Sequence, residues 1–138
     1  MSDTEIPVIL IADDDPSCLL ILQEFLKPTG AQFITVTDGV RAFEESVRNT
    51  MVKLVIMDIR MPKMDGLESV RLIRKYRPDL PVIIITALND PEYKFLFKKL
   101  NCNDFILKPI SPHSIIDTVS KYLDFQTDKY GTDRFYLH

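Results

Sequence analysis

Residues 9–19 read ILIADDDPSCL, an apolar strand that runs straight into three consecutive aspartates and then a proline. Two carboxylates held about 4 Å apart repel by roughly 4 kcal/mol at an effective dielectric near 20. Three in a row at the mouth of a buried strand therefore call for a positive partner, unless one of them faces away. The pair Asp15-Pro16 reads as a helix N-cap followed by proline at the first helical position, where its missing N–H costs nothing.

Working outward, further short apolar runs follow: PVILIA (7–12) contains the first, then QFITV (32–36), KLVIMD (53–58), PVIIIT (81–86) and a weaker DFILK (104–108). The first, third and fourth are apolar at consecutive positions instead of alternating, which suits strands covered on both faces of a parallel sheet. Between them lie segments of helical spacing. Val40, Phe43 and Val47 form one such face, Leu67, Val70 and Ile73 a second, and Ile115, Ile116, Val119 and Leu123 a third. Strand then helix, five times over, predicts a doubly wound α/β sandwich, because parallel strands need helical crossovers. Pro28 and Gly30 end the first helix, and Asp65, Asn89 or Asp90, and Ser111 are caps for later ones.

The chain of 138 residues is long enough for one domain with a genuine core and too short for two ordinary ones. Its net charge of −3 is too small and of the wrong sign for a phosphate-backbone binder, so nucleic acid is not expected as a direct partner. The start MSDTEIP lacks the basic opening and apolar run of a signal peptide, and no stretch approaches the roughly 20 apolar residues that span a bilayer. A soluble, cytoplasmic protein is the expectation, with no membrane partner. Cys18 and Cys102 have no CxxC or Cys/His ligand spacing and read as reduced and structural. The domain is expected to cover residues 1–124. The stretch 125–138, FQTDKYGTDRFYLH, is polar, broken by Gly131 and aromatic at its end, and reads as a flexible tail, a docked segment or the start of a linker.

In open α/β sheets the functional crevice lies beyond the carboxyl ends of the strands. The first strand delivers Asp13 and Asp14 there, the third Asp58, the fourth Thr86 and the fifth Lys108. Carboxylates without histidine or thiolate suit a hard cation such as Mg²⁺, and lysine adds a compact charge for phosphate. Metal, lysine and hydroxyl around a carboxylate describe phosphoryl transfer to that carboxylate, giving an acyl phosphate.

Asp13-Asp14 after an apolar strand, MDIRMPKMDG around Asp58, Thr86-Ala87 and Lys108-Pro109 together resemble the receiver domain of two-component response regulators, over residues 6 to 124. The resemblance implies a CheY-like sandwich: five parallel strands in the order 2-1-3-4-5, flanked by five helices. It implies that Asp58 accepts a phosphoryl group from a phosphohistidine on a sensor histidine kinase or histidine phosphotransfer protein. Asp14 and Asp58 would then bind Mg²⁺ directly, Asp13 largely through water, and the Arg60 carbonyl would be a further ligand. Thr86 and Lys108 would contact the phosphoryl group, Phe105 would be the switch aromatic, and the peptide before Pro109 would be cis. Such a domain is a signalling switch and not an enzyme on other substrates. Its output partner is unnamed, and homodimerisation on phosphorylation is among the behaviours it allows.

The sequence departs from the family in two places. Asn101-Cys102 replaces the usual Gly-Ala before the last strand, and asparagine tolerates the positive φ needed there. Phe105 lacks the hydroxyl that tyrosine would bring, so its switching rests on burial. Asp65 reads as a cap rather than a ligand, and His113 and His138 as surface residues. In the fourth helix, Tyr93, Leu96, Phe97 and Leu100 share a core face, leaving Phe95 exposed. Leu20 similarly falls opposite Leu22, Phe25 and Leu26, and both exposed residues are candidate partner contacts. The competing reading is a Mg²⁺-dependent aspartyl-phosphate phosphatase or phosphotransferase on small substrates, which predicts a second aspartate soon after the nucleophile where Ile59-Arg60 stands. A flavin or nucleotide domain would need a glycine-rich phosphate loop that the sequence lacks. A degenerate, purely scaffolding receiver is disfavoured by the intact site residues.

Overall fold

The computed structural model describes residues 6–87, 91–123, 126–127 and 133–134. The expected caps Asn89 and Asp90, the Tyr93 side chain and His138 lie outside the described residues. Strands β1 (Val8–Ala12), β2 (Gln32–Val36), β3 (Val52–Asp58), β4 (Val82–Thr86) and β5 (Asp104–Leu107) alternate with helices α1 (Pro16–Leu26), α2 (Gly39–Arg48), α3 (Gly66–Tyr76), α4 (Pro91–Lys99) and α5 (Pro112–Val119). The five strands pair in parallel in the order β2-β1-β3-β4-β5. No helix among the described residues is long and apolar enough to cross a membrane.

Consecutive apolar residues in the central strands point to opposite faces, so one strand feeds two cores. Leu10, Val55, Met57, Val82 and Ile84 pack with Ala42 of α2 and Val70 and Ile73 of α3, and Leu96, Phe97 and Leu100 join that side. Ile9, Ile11, Ile56, Ile83 and Ile85 pack with Leu22 and Leu26 of α1 and Ile115 and Val119 of α5. This two-sided burial is what the unbroken apolar runs encode.

The helix starts follow the capping chemistry read from the sequence. Asp15 accepts a hydrogen bond from the Ser17 N–H, Asp65 from Glu68 and Ser111 from Ser114. A single 3₁₀ turn, Lys27–Thr29, follows α1 and closes on Gly30 at φ 72°.

One helical face differs from expectation. In α2 the fully buried residues are Gly39, Ala42 and Ser46, while Val40, Phe43 and Val47 are only half-buried. Small residues let α2 lie close to α3 and to the loop before it. A Cβ on Gly39 would stand 2.0 Å from the Met64 carbonyl oxygen, and the Ser69 hydroxyl donates to the Gly39 carbonyl at 2.8 Å. Hydrophobic spacing marks where the large side chains are; it is blind to a contact made by small ones.

The departure at Asn101-Cys102 is accommodated. Asn101 adopts φ 57°, and its carbonyl accepts from the Arg74 guanidinium at 2.9 Å. Arg74 also donates to the Leu80 carbonyl at 2.6 Å and to Asn103 Oδ1 at 3.0 Å, while Asn103 Oδ1 accepts from the Val82 N–H at 2.8 Å. Within 125–138, Gln126–Thr127 pairs antiparallel with Asp133–Arg134.

Candidate functional site

Each polar residue collected from the strand ends sits at the carboxyl edge of the sheet. Asp13 follows β1 and is fully buried; Asp58 and Thr86 are the last residues of β3 and β4 and are buried; Lys108 follows β5. Asp14 is exposed at the rim, and Arg60 is exposed two residues beyond Asp58.

The three aspartates of the opening run have three different environments. Asp13 Oδ1 accepts the Asp15 N–H at 2.9 Å, and its Oδ2 accepts from the Lys108 ammonium at 2.9 Å. Asp14 is exposed at the rim of the site, and Asp15 caps α1. Lys108 reaches a second carboxylate as well, Asp58 Oδ2 at 3.2 Å. One ammonium thus serves two buried carboxylates.

The electrostatics follow from that ratio. Burial raises the Asp58 pKa above the ordinary carboxylate value, and the Asp13 charge adds to the effect, while Lys108 opposes both. Burial pulls the Lys108 pKa down, but the hydrogen bond to Asp13 and the charges of Asp58 and Asp13 outweigh it, so the net direction is upward. The Cys18 thiol, facing the same cluster, is pushed up to about 12 by burial and by its hydrogen bond to Asp13, which keeps it a neutral thiol. Cys102 is pushed up to about 12 by burial. Neither cysteine is in a disulfide.

One carboxylate oxygen from each of Asp13, Asp14 and Asp58 lies within 4.8 Å of the others. An all-carboxylate set with an exposed member at the rim fits a hard divalent cation that keeps part of its water shell. The uncompensated second carboxylate fits it equally, since one ammonium leaves net negative charge in the cluster.

Two residues that shape this site went unread in the sequence. A Cβ on Gly66 would lie 2.0 Å from the Asp58 carbonyl oxygen, and the Gly66 N–H donates to the Ile59 carbonyl at 2.7 Å. The first turn of α3 is thereby seated against the backbone that carries Asp58. Gly39 does the same for the loop between, as described above. The Asp65-Gly66 pair, a cap followed by a residue without Cβ, was the available signal.

The Lys108–Pro109 peptide is cis. Phe105 is half-buried and meets Phe97 edge-on, with ring centroids 5.5 Å apart and planes at 82°. Leu20 and Phe95 are 65% and 67% exposed, so both stand free of the core. Asp65 caps α3 and takes no part in the carboxylate cluster, and His113 is exposed.

Comparison with known proteins agrees with this architecture. The family model for the response regulator receiver domain matches residues 9–120. The chain is 38% identical over 116 residues to the response regulator GtcR of Aneurinibacillus migulanus, covering 83% of this chain and 47% of that protein. It is 35% identical over 115 residues to the transcriptional regulatory protein ZraR of Klebsiella oxytoca, covering 83% of this chain and 26% of that one. The chain therefore spans less than half the length of these curated relatives. Among solved structures, the receiver domain of sensor histidine kinase PA1611 from Pseudomonas aeruginosa, which has a magnesium ion coordinated in its active-site cleft, superposes with a TM-score of 0.77 at 24% identity, covering 85% of this chain and 97% of that one. The fold is the CheY-like one, and the chain belongs to the response regulator receiver domain family.

Proposed function

We propose that residues 1–124 form a phospho-accepting switch of a two-component system, in which Asp58 takes a phosphoryl group from a phosphohistidine of a sensor histidine kinase or histidine phosphotransfer protein in the cytoplasm. The observation that carries this reading is the Lys108 ammonium held between the buried Asp13 and Asp58 carboxylates. An Asp58 oxygen attacks phosphorus in line, the O–P bond forms as the donor N–P bond breaks, and the electron pair leaves with the imidazole. Lys108, already at Asp58, pairs with the transferred oxygens, and Thr86 at the end of β4 donates its hydroxyl to one of them. Asp14, Asp58 and the Arg60 carbonyl would hold Mg²⁺ directly, with Asp13 reaching it through water. Bound there, the ion supplies charge neutralisation for the incoming group.

Added charge at Asp58 draws Lys108 and Thr86 toward the phosphoryl group. Phe105, one strand over and packed on Phe97, is the residue through which the face of α4, β5 and α5 would change. Output partners would read that face, and Leu20 on α1 would meet the phosphoryl donor. The test is incubation with acetyl phosphate and Mg²⁺ followed by intact mass. Wild type is expected to gain one phosphoryl group and Asp58→Asn none; equal labelling of both would overturn the assignment.

A further inference from the structure

At the opposite end of the sheet from Asp58, where β3 and β4 begin, a cleft of about 380 Å³ is lined by Lys53, Tyr76, Arg77, Pro78, Asp79 and Pro81. Its volume is within the range of small-molecule sites, about 300 to 1,000 Å³. Two cations line it, and neither has a carboxylate partner among the described residues. Arg77 donates through one nitrogen, Nη1, to the carbonyls of Ser46 at 3.0 Å and Asn49 at 3.4 Å, both neutral acceptors. Lys53 is half-buried with no ion pair. Some cations of this chain pair with carboxylates, Lys27 with Glu24, Lys63 with Asp38, Lys121 with Asp104, and others, Arg48, Arg60 and Lys75 among them, have no such pair among the described residues but are exposed, whereas Lys53 and Arg77 are half-buried. In a chain of net charge −3, two half-buried cations in one cleft without a carboxylate partner leave room for an anion. Complementing helix C-termini explains Arg74 and Lys75 in the last turn of α3 and, in part, Arg77, which caps α3 and donates through Nη1 to carbonyls at the end of α2, but not Lys53, which is on a strand.

The rest of the lining narrows the ligand. Tyr76 is 63% exposed, and Phe43 meets it at a centroid distance of 5.8 Å and a tilt of 53°, which leaves ring surface open toward solvent. Asp79 is exposed and offers a carboxylate acceptor. We propose that this cleft binds a nucleoside monophosphate, with the phosphate on Lys53 and Arg77, the base against Tyr76, and sugar hydroxyls or an exocyclic amine donating to Asp79. The site is separate from the phosphoacceptor cluster and does not depend on that reading.

The test is an amide-resolved NMR titration of the full chain with adenosine monophosphate, adenosine, inorganic phosphate and phenylalanine in parallel. The nucleotide is expected to give saturable shifts at residues 53 and 76–81, with the other three probes binding at least about tenfold more weakly. Tyr76→Ala should weaken nucleotide binding at least about fivefold, in line with the worth of one base–aromatic stack. Lys53→Gln should weaken it as well, and unchanged melting temperatures would show that both variants fold. The proposal is overturned by an absence of saturable shifts in this cleft, by phosphate or phenylalanine binding as tightly as the nucleotide, or by nucleotide affinity unchanged in both variants.

Discussion

The Lys108 ammonium reaches 95 positions back along the chain to hold the Asp13 carboxylate at 2.9 Å. That contact ties the far edge of the sheet to its middle, and Asp13 has no other cation within ion-pair distance among the described residues. Removing one member of a buried pair leaves the other charge uncompensated, at roughly 3 to 5 kcal/mol when fully buried. The Lys108 side chain is 25% exposed, so Lys108→Met is expected to cost less, about 2 to 4 kcal/mol. Urea unfolding without Mg²⁺ measures it, and added Mg²⁺ should restore part of the loss. The Lys108 pKa is raised on folding, so its contribution is full below the ordinary value of 10.5 and is lost as pH climbs through the higher folded value.

Asp58 has the opposite sense. Its pKa is raised by burial and by Asp13, so the folded state favours the protonated acid, and stability falls as pH rises from the ordinary value of 3.8 through the folded one. At neutral pH the ionised Asp58 is a destabilising charge. Asp58→Asn should therefore melt higher than wild type in the absence of Mg²⁺, by about 2 to 5 °C, and should lose most of the Mg²⁺-induced stabilisation. Thermal melts with and without Mg²⁺ check both halves; a variant that melts lower would contradict the direction.

Gly66 seats α3 on the Asp58 backbone with no room for a methyl group. Because the obstructing atom is a carbonyl oxygen of a central strand, it cannot swing aside as a side-chain tip would. Gly66→Ala is expected to destabilise by about 1 to 3 kcal/mol or more through overpacking, and to slow phosphorylation by acetyl phosphate by displacing Asp58. Gly39→Ala, which meets the Met64 carbonyl, should destabilise similarly with a smaller effect on phosphorylation. Chemical denaturation and the labelling rate, measured on both variants, separate the two effects.

What the sequence made legible was set by side-chain size and charge. Buried strands show themselves because residues such as Ile9, Ile11, Ile83 and Ile85 are large and unbroken, and strand ends show themselves because Asp13, Asp58 and Lys108 interrupt them. The convergence of those ends follows from parallel topology alone. The α2–α3 contact escaped because Gly39, Ala42 and Ser46 carry no hydrophobic signal, and the clamp of Arg74 on Asn101 and Asn103 escaped because it joins residues 27 and 29 positions apart through carbonyl and amide acceptors. The unequal roles of the three aspartates were foreseeable only in part. Proline fixed Asp15 as the cap, but the burial of Asp13 rather than Asp14 goes with an ion pair to a lysine 95 residues away.

Beyond α5, the Tyr122 hydroxyl donates to Asp104 Oδ2 at 2.5 Å and lies 2.9 Å from the Asn103 carbonyl, pinning the start of β5 from the α5 side. Burial, then the hydrogen bond to Asp104, pushes the Tyr122 pKa up to about 12 from 10.0. The folded state thus favours the neutral phenol, and the stabilisation is fully present below pH 10 and is lost as pH rises toward 12. Tyr122→Phe removes the donor and leaves Asp104 to Lys121, at 3.4 Å. It is expected to cost about 1 kcal/mol at neutral pH, the ordinary worth of one hydrogen bond. Denaturation of wild type and variant across the alkaline range should show that gap closing as the wild-type phenol ionises. A gap that stays constant to the top of the range would mean that the ring, and not the hydroxyl, supplies the stability.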